Sequence, residues 1–470
     1  MTPPRILTAA VLTASLGLVP AVASAAPVKF TPGAAGAGDP YFPKMGNGGY
    51  DVGHYGITLA FDPGTGTIAA TTRITARATK NLSRFNLDLH GLTVTALTVN
   101  GRPAAYRRTG FQELVITPRK GVVRGTRFTV AVSYEGVPKP VEDPALGRSG
   151  WITTSDGAVA LNQPFGASGW FPVNDTPRDK AAYDFALTVP DGLQALANGD
   201  FLGRRAKAGK STYRWRMRSP MASELSLVAI GKYKILRKKG SRGVPANLTA
   251  IDSALVKSPG QLASYGKRTA QIVTWESKLF GTYPFTTTGG ILDNIKVGYS
   301  LETQGLPVHD WNLPGANPSA GLMVHELAHQ WFGDSVTPAK WRDIWLNEGF
   351  ATYAEWLWAE RAGGATAAKQ FKLAYSAGAK AQVWQGVLAN PGRDHIFDSL
   401  VYQRGAMTLQ VLRKKLGDDR FFGLLRAWAT HNKGKNVTTK QFHAFAEKYS
   451  GKQLDSLFKK WVYTAGKPKL

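Results

Sequence analysis

The stretch VHELAHQWFGD, residues 324–334, is the part of this sequence that decides how the rest is interpreted. It places His325 and His329 four residues apart, with Glu326 directly after the first of them. The pattern predicts a helix that ends near Gly333. On a helix, residues i and i+4 lie on one side and about one turn apart, so the two imidazoles can share a metal ion. Glu326 is not a ligand in this pattern, and its carboxylate can reach a metal-bound water.

A catalytic metal site needs a third protein ligand and an open position for water. Glu348 supplies a candidate further along the chain, in the stretch WLNEGFATYAEWLW, which reads as a second helix. The chain contains no cysteine, so thiolate ligands are excluded. Two histidines and one carboxylate suit one catalytic zinc ion, and they also suit non-heme iron. Because Glu326 stands beside the first ligand, the pattern favours water activation, and hence hydrolysis, over oxygen chemistry.

Glu355 lies seven positions after Glu348 and shares a face of the same predicted helix. From that position its carboxylate can accept a hydrogen bond from a ligand imidazole and set which ring nitrogen binds the metal. The alternative is an ordinary solvated carboxylate on a helix surface.

The hydrophobic pattern changes its period once along the chain. Residues 26–252 carry β-branched residues alternating with polar ones, as in GTIAATTRITARATK, which predicts an antiparallel β domain with one solvated face. Residues 253–470 carry apolar residues at spacings of three and four, as in QLASYGKRTAQIVTWESKLFG, which predicts helices. The expected fold class is therefore α+β and multidomain.

The first 25 residues have the three-part form of an export signal. One arginine precedes an apolar run of about 14 residues, shorter than the ~20 residues of a membrane-spanning helix. Ala23-Ser24-Ala25 follows as a cleavage site of small residues. Residues 1–25 are therefore predicted to be a signal peptide and the mature protein to be secreted, with no transmembrane segment.

The chain has a formal net charge of +26 and a pI of about 10.0. Such a balance attracts polyanions. We find no nucleic-acid-binding motif and no dense basic arm, because lysine and arginine are scattered along the chain. The composition favours a solvated basic surface, suited to electrostatic association with an anionic cell wall, over binding of nucleic acid.

Taken together, His325, Glu326, His329 and Glu348, with NEGFATYAE around the last of them, resemble the gluzincin metallopeptidases of the aminopeptidase N family. Further stretches extend the resemblance over nearly all of the predicted mature chain: YDVGHYGITL, FGTYPF, VYQRGAMTLQVLR and FKKWVYTAGKPKL. The resemblance implies an N-terminal β domain followed by a thermolysin-like, mostly helical catalytic domain. The chain resembles a short form of the family, because longer members continue into two further domains. The resemblance to a short form implies a more open active-site cleft here.

The resemblance also implies roles for individual residues. His325, His329 and Glu348 would bind one zinc ion, and Glu326 would be the general base. Tyr402, within VYQRGAMTLQVLR, would donate a hydrogen bond to the oxyanion of the tetrahedral intermediate. Without the resemblance, Tyr402 would be an ordinary aromatic residue on a helix face.

The match to the family's substrate-binding segment is partial. Its Gly-x-Met-Glu-Asn stretch corresponds here to YSLET, in which only the glutamate, Glu302, is kept. The resemblance implies that Glu302 binds the free α-ammonium group of a peptide. Gln163, within LNQPFGASGWFP, matches the family's second amine-binding position, and its alternative interpretation is an ordinary loop amide.

These observations predict a secreted zinc aminopeptidase acting on peptides with a free N-terminus. Two alternatives stay open at this stage. One is an endopeptidase with the same metal site, which would not require the free amine. The other is a catalytically weak, wall-associated binding protein that keeps the metal fold as a scaffold, although a scaffold has no use for Glu326.

Overall fold

A computed structural model describes residues 1–4, 9–10, 28–241, 244–313 and 318–470. Most of the predicted export signal, including its cleavage site, lies outside the described residues. Among the helices that are described, none combines the length and the hydropathy needed to cross a bilayer.

The first half of the chain is built almost entirely of β-strands. Their bounds are β1 Thr31–Pro32, β2 Tyr50–Asp62, β3 Thr67–Ala78, β4 Leu82–Asp88, β5 Thr93–Val99, β6 Arg102–Pro103, β7 Ala105–Thr109, β8 Glu113–Thr117, β9 Arg127–Gly136, β10 Val141–Asp143, β11 Gly147–Thr153, β12 Ala158–Leu161, β13 Ala181–Pro190, β14 Gln194–Ala197, β15 Asp200–Lys207, β16 Lys210–Met221 and β17 Val228–Gly231.

An eight-stranded sheet in the order β15-β16-β13-β2-β3-β9-β5-β6 is the largest layer of this half. Along β3 nearly every second residue is buried, as the alternating sequence predicts for a sheet with one solvated face. The sheet is not wholly antiparallel, in contrast to the prediction, because β2 and β13 pair in parallel. Parallel neighbours need a long connection, and here the chain from β3 to β12 lies between them in sequence. Smaller sheets, β1-β4-β8-β7 and β10-β11-β12-β17-β14, complete this half.

A mixed four-stranded sheet joins the two halves of the protein. It has the order β18-β19-β20-β21, with β18 Tyr233–Lys238, β19 Ala246–Asp252, β20 Thr287–Asp293 and β21 Val308–Asp310. Ile291 belongs to the hydrophobic core of the β half, whereas Leu292, its neighbour on the opposite face, belongs to the core of the helical half. The domain boundary at 252/253 stays a prediction, although strands from both sides of it share this sheet.

Helices dominate the remainder, as the change of period predicts. Their bounds are α1 Gln261–Phe280, α2 Ala320–Ala328, α3 Trp345–Arg361, α4 Ala367–Tyr375, α5 Gly405–Leu416, α6 Asp418–His431, α7 Thr439–Ser450 and α8 Asp455–Trp461, with short parallel strands β22 Thr337–Pro338 and β23 Asn436–Val437. The structure therefore has the predicted fold class, an N-terminal β-rich half followed by a mostly helical half.

Helices α3 and α5 approach each other unusually closely at a pair of glycines. A Cβ atom added to Gly349 would lie 2.8 Å from the Cα atom of Gly405, closer than real side chains allow. A π-helical turn, Leu400–Arg404, leads directly into α5. The glycine contact therefore brings the start of α3, which carries Glu348, next to the turn that carries Tyr402.

Candidate active site

Helix α2 carries the first two residues of the predicted metal site. The Ser319 hydroxyl caps its N-terminus by accepting a hydrogen bond from the backbone N–H of Leu322, at 3.1 Å. The helix ends earlier than predicted, at Ala328 rather than near Gly333, and His329 is its C-cap residue. His329 nevertheless keeps right-handed helical dihedral angles, so the spacing of one turn from His325 is preserved.

The structure brings His325, His329 and Glu348 together. The Glu348 Oε2 atom lies 3.2 Å from His325 Nε2 and 3.4 Å from His329 Nε2. One ligand atom from each of the three residues lies within 4.8 Å of the others, and all three side chains are buried. Two helices that pack together, α2 and α3, therefore present three donor atoms to one point.

These donors fit a zinc ion. Burial by itself would lower the pKa of His329, but the carboxylates of Glu302 and Glu348 raise it to about 9. Burial likewise would raise the pKa of Glu348, but the two neighbouring imidazoles lower it to about 2. The surrounding carboxylates thus favour a positive charge at this position. A divalent cation can replace the imidazole protons between His325, His329 and Glu348.

Both imidazoles are also held by contacts at their Nδ1 atoms, on the side of each ring away from Glu348. His325 Nδ1 lies 2.7 Å from Glu355 Oε1, and His329 Nδ1 lies 3.1 Å from the carbonyl oxygen of Phe332. With Nδ1 donating to oxygen, the Nε2 atom of each ring is left to bind a metal. The carboxylate of Glu355 therefore contacts the imidazole of a candidate metal ligand, and its role in orienting that imidazole toward a metal stays a prediction.

Tyr402 packs against the imidazole of His325. Its ring stacks on that of His325, with centroids 5.9 Å apart and planes inclined by 22°. Burial and the surrounding carboxylates, Glu348 among them, raise the pKa of Tyr402 well above that of a free phenol. The phenol therefore keeps its proton and remains a hydrogen-bond donor at neutral pH.

A second acidic cluster adjoins the metal ligands. Carboxylate oxygens of Glu302 and Glu326 and a ring nitrogen of His329 lie within 4.8 Å of one another. Burial, reinforced by the charge of Glu302, raises the pKa of Glu326 to about 8, although His325 opposes the shift. A cation held by the metal ligands would favour the ionised form of Glu326, which is the form that can accept a proton.

Gln163 reaches this cluster from the β half of the protein. Its amide Nε2 donates a hydrogen bond to Glu302 Oε1 at 2.8 Å. Both residues line a cavity of about 320 Å³ together with the three metal-site residues, Glu326, Glu355 and Tyr402. Every site residue predicted from the sequence is thus found around one cavity.

Gln330 was not singled out by the sequence, yet it places Glu302. Its Nε2 donates to the carbonyl oxygen of Glu302 at 3.1 Å, and its Oε1 accepts from the backbone N–H of Gly305 at 2.7 Å. Because Gln330 directly follows His329, these two bonds tie the acidic segment to the metal-binding motif. Its position inside the motif was a signal that could have identified it.

Two further residues join distant parts of the chain around the site. The Lys180 ammonium donates to the carbonyl oxygens of Asp334 and Ser335, at 2.7 and 3.1 Å, which fastens the β half to the turn after the motif. Fully buried Arg404 donates to the carbonyl oxygens of Trp461 and Thr464, at 2.9 and 2.6 Å. Neither residue was singled out from the sequence, because its hydrogen-bond partners lie far away along the chain.

Comparison with known proteins agrees with this geometry. Residues 52–225 match the model of the peptidase M1 N-terminal domain, and residues 315–461 match that of the peptidase family M1 domain. The two matches together cover more than half of the chain. The chain belongs to peptidase family M1.

Family M1 is also what the solved structures indicate. A crystal structure of an M1 zinc metallopeptidase from Deinococcus radiodurans superposes with a TM-score of 0.83 at 30% sequence identity, covering 93% of this chain and 98% of that one. A glutamate-to-alanine mutant of that enzyme, bound to a Tyr-Ser-Ala substrate, is 31% identical and superposes equally well over 93% of this chain and 99% of its own.

Curated M1 relatives are longer and more distant. Aminopeptidase B of Mus musculus is 26% identical over 86% of this chain and 67% of its own length. Leukotriene A-4 hydrolase of Xenopus laevis is 24% identical over 89% of this chain and 72% of its own length. A probable aminopeptidase 2 of Sulfurisphaera tokodaii is 25% identical. The match covers 81% of this chain but only 50% of the length of that relative. Zinc is the metal expected from this membership, and His325, His329 and Glu348 are its candidate ligands.

Removal of one candidate ligand tests the metal site of this M1 protein. We expect His329→Ala to weaken zinc binding by more than about 100-fold, because two donors remain where a catalytic site needs three. Zinc per chain after dialysis, measured by plasma mass spectrometry, should fall from one to near zero. The matched control is His395→Ala, whose side chain is 61% exposed. Full zinc retention by His329→Ala, or zinc loss in the control, would contradict the assignment.

Proposed function

We propose that this protein is an exported zinc aminopeptidase that hydrolyses the first peptide bond of peptides with a free N-terminus. The observation that carries the proposal is the position of Glu302, whose carboxylate lies within 4.8 Å of both Glu326 and His329. A substrate ammonium bound by Glu302 can then have only its own first carbonyl group within reach of the metal ligands.

Glu326 is the proposed general base. Bound zinc would supply Lewis acidity, which polarises the substrate carbonyl and makes water more acidic. The Glu326 carboxylate takes the proton from the attacking water and passes it to the nitrogen of the leaving peptide, so that the C–N bond breaks. Its carboxylate lies within 4.8 Å of a ring nitrogen of His329, close to the three proposed metal donors.

Tyr402 is proposed to stabilise the negative charge that develops on the carbonyl oxygen. Its phenol keeps its proton because its pKa is raised well above the ordinary value. A donor directed at the developing charge in a buried site can contribute on the order of 10²–10³ in rate. The stacking of Tyr402 on His325 supports this role, because it keeps the phenol beside the metal ligands.

Glu302 and Gln163 are proposed to bind the substrate ammonium. A carboxylate pairs with the positive charge, and the amide oxygen of Gln163 can accept a further hydrogen bond from the same group. Their mutual hydrogen bond already orients the glutamine toward this position. The names of the relatives, among them an aminopeptidase B and a probable aminopeptidase, support an exopeptidase.

A panel of aminoacyl-aminomethylcoumarins tests the activity. We expect release of the coumarin that stops on addition of a chelator and returns with zinc. Glu326→Gln should lower kcat by about 10²–10⁴ because it removes the base, while the zinc content stays at one per chain. A wild-type enzyme that binds zinc but hydrolyses none of the panel would instead favour the wall-associated binding protein.

Acetylation of the substrate separates an aminopeptidase from an endopeptidase. We expect N-acetyl peptides to be inert, because Glu302 would then face a neutral amide instead of a cation. Glu302→Gln should lower kcat/KM for free peptides by about 10–100-fold, the value of one charge-assisted hydrogen bond of about 1.5–3 kcal/mol. Glu142→Gln, at a side chain that is 73% exposed, is the matched control. Efficient cleavage of acetylated peptides would support the endopeptidase.

Export and association with an anionic cell wall form the last part of the proposal. The three-part pattern of residues 1–25 supports export, and the formal net charge of +26 supports retention by a polyanionic wall. The protein recovered from producing cells should begin at Ala26 by mass spectrometry. It should also leave the wall fraction as salt rises, since screening weakens attraction between exposed charges. Recovery of the uncleaved chain from inside the cells would contradict export.

A further inference from the structure

A second group of metal-binding side chains lies where helices α7 and α8 meet. His443 and Glu447 are four residues apart on α7, which is also the spacing of the two histidines on α2. Asp455 is the first residue of α8. One donor atom from each of these three residues lies within 4.8 Å of the other two. None of the three lines the catalytic cavity, so the group is separate from the candidate active site.

The distances within this group fit a shared ion better than they fit hydrogen bonds. His443 Nε2 lies 3.6 Å from Glu447 Oε1 and 3.5 Å from Asp455 Oδ1. Both separations exceed the limit of about 3.2 Å for an N–H···O hydrogen bond. Two donors bound to one tetrahedral zinc ion at the usual bond lengths are separated by roughly 3.4 Å. His443 Nε2 is therefore spaced from both carboxylates as one zinc ligand is from another.

The imidazole of His443 is fixed in place, and its Nε2 atom is left for a ligand. The ring stacks on that of Phe458, a buried residue of α8, with centroids 4.0 Å apart and planes inclined by 13°. The Nε2 atom is buried and, within the described structure, has no hydrogen-bond partner. A buried nitrogen without a partner is costly, and an ion between the two carboxylates would supply one. Asp455 is 77% exposed, so an ion can enter from solvent.

The two carboxylates also lack a basic partner. Lysine and arginine outnumber aspartate and glutamate by 58 to 32 in this chain. Even so, none of the described lysines and arginines lies within salt-bridge distance of Glu447 or Asp455. Glu447 Oε1 accepts a hydrogen bond from the backbone N–H of Leu454 at 2.7 Å, and a carboxylate has further lone pairs for an ion. Two such carboxylates beside an imidazole attract a divalent cation.

We propose that His443, Glu447 and Asp455 form a second zinc site, which joins α7 to α8 and has water as its fourth ligand. Imidazole and carboxylate donors without a thiolate suit Zn²⁺. The end of α8 accepts hydrogen bonds from Arg404, in the turn that carries Tyr402. An ion at the start of α8 therefore stabilises a helix that supports the active site. This site does not depend on the proposed aminopeptidase function.

Calorimetric titration tests the second site. Three ligands, two of them partly exposed, hold an ion more weakly than the buried catalytic set, so the second ion is lost on dialysis and is measured with free zinc present. We expect wild-type protein that already carries its catalytic zinc to bind one further ion per chain. His329→Ala, which is expected to lose the catalytic ion, should still bind the second one.

Two variants remove ligands of the second site. His443→Ala should abolish binding of the further ion. Asp455→Asn leaves the stacking on Phe458 intact and should weaken binding by at least about tenfold, since changing even the partners of metal ligands costs that much. The matched control is His431→Ala, because this exposed histidine at the end of α6 belongs to none of the candidate metal groups among the described residues. It should bind the second ion as the wild type does.

Thermal unfolding supplies a readout that is independent of the heat of binding. With free zinc well above Kd, the Tm of the catalytic-zinc-loaded wild type should rise by about 2–5 °C, because the ion binds the folded state alone. The Tm of Asp455→Asn should not rise. Magnesium should have no effect on the wild type, because Mg²⁺ requires octahedral oxygen ligands and an imidazole is a poor substitute.

Three results would overturn the assignment. The first is a wild type that binds no further ion, in which case His443 is an ion-pair and stacking partner only. The second is a further ion that persists in both His443→Ala and Asp455→Asn, which would place it elsewhere, as at the carboxylates of Glu302 and Glu326. The third is equal binding of magnesium and zinc, which would leave the imidazole without a role.

Discussion

The buried carboxylate of Glu348 between two imidazoles is the interaction on which the rest of the site depends. Its Oε2 atom is 3.2 and 3.4 Å from the Nε2 atoms of His325 and His329. Such an arrangement is stable only if the positive and negative groups meet closely, since each charge by itself would lose its hydration on burial. Helices α2 and α3 must therefore pack in one register, and the glycines at the crossing of α3 and α5 allow the neighbouring turn to approach.

Around that centre, the β half does more than support the helices. The four-stranded sheet β18-β19-β20-β21 contributes one face to each hydrophobic core, so it fixes the two halves against each other. Gln163 then reaches Glu302 across this junction, and Lys180 holds the turn after the metal motif from the same side. The end of the cavity at which Gln163 contacts Glu302 is consequently assembled from both halves, whereas the three candidate metal ligands come from the helical half alone.

Much of the site was predictable because its signals are local. The spacing of His325 and His329 follows from helix periodicity, and Glu348 and Glu355 lie seven positions apart on one helix. Tyr402, Glu302 and Gln163 were predicted through a family resemblance rather than through spacing, and the structure places all three at the same cavity. The end of α2 was misplaced because the tight turn from His329 to Gly333 keeps the same residue pattern as a helix.

Composition, the two periodicities and one metal-binding motif were enough to predict from the sequence that a β-rich half precedes a helical half carrying a metal site, and they favoured hydrolysis as its chemistry. Only the tertiary structure decided the parallel pairing of β2 with β13, the support of Glu302 by Gln330, and the attachment of Lys180 to the turn after the metal motif. The physical reason is the range of the interactions. Periodicity reflects contacts within a few residues, whereas these features join segments whose separation in sequence carries no information about their distance in space.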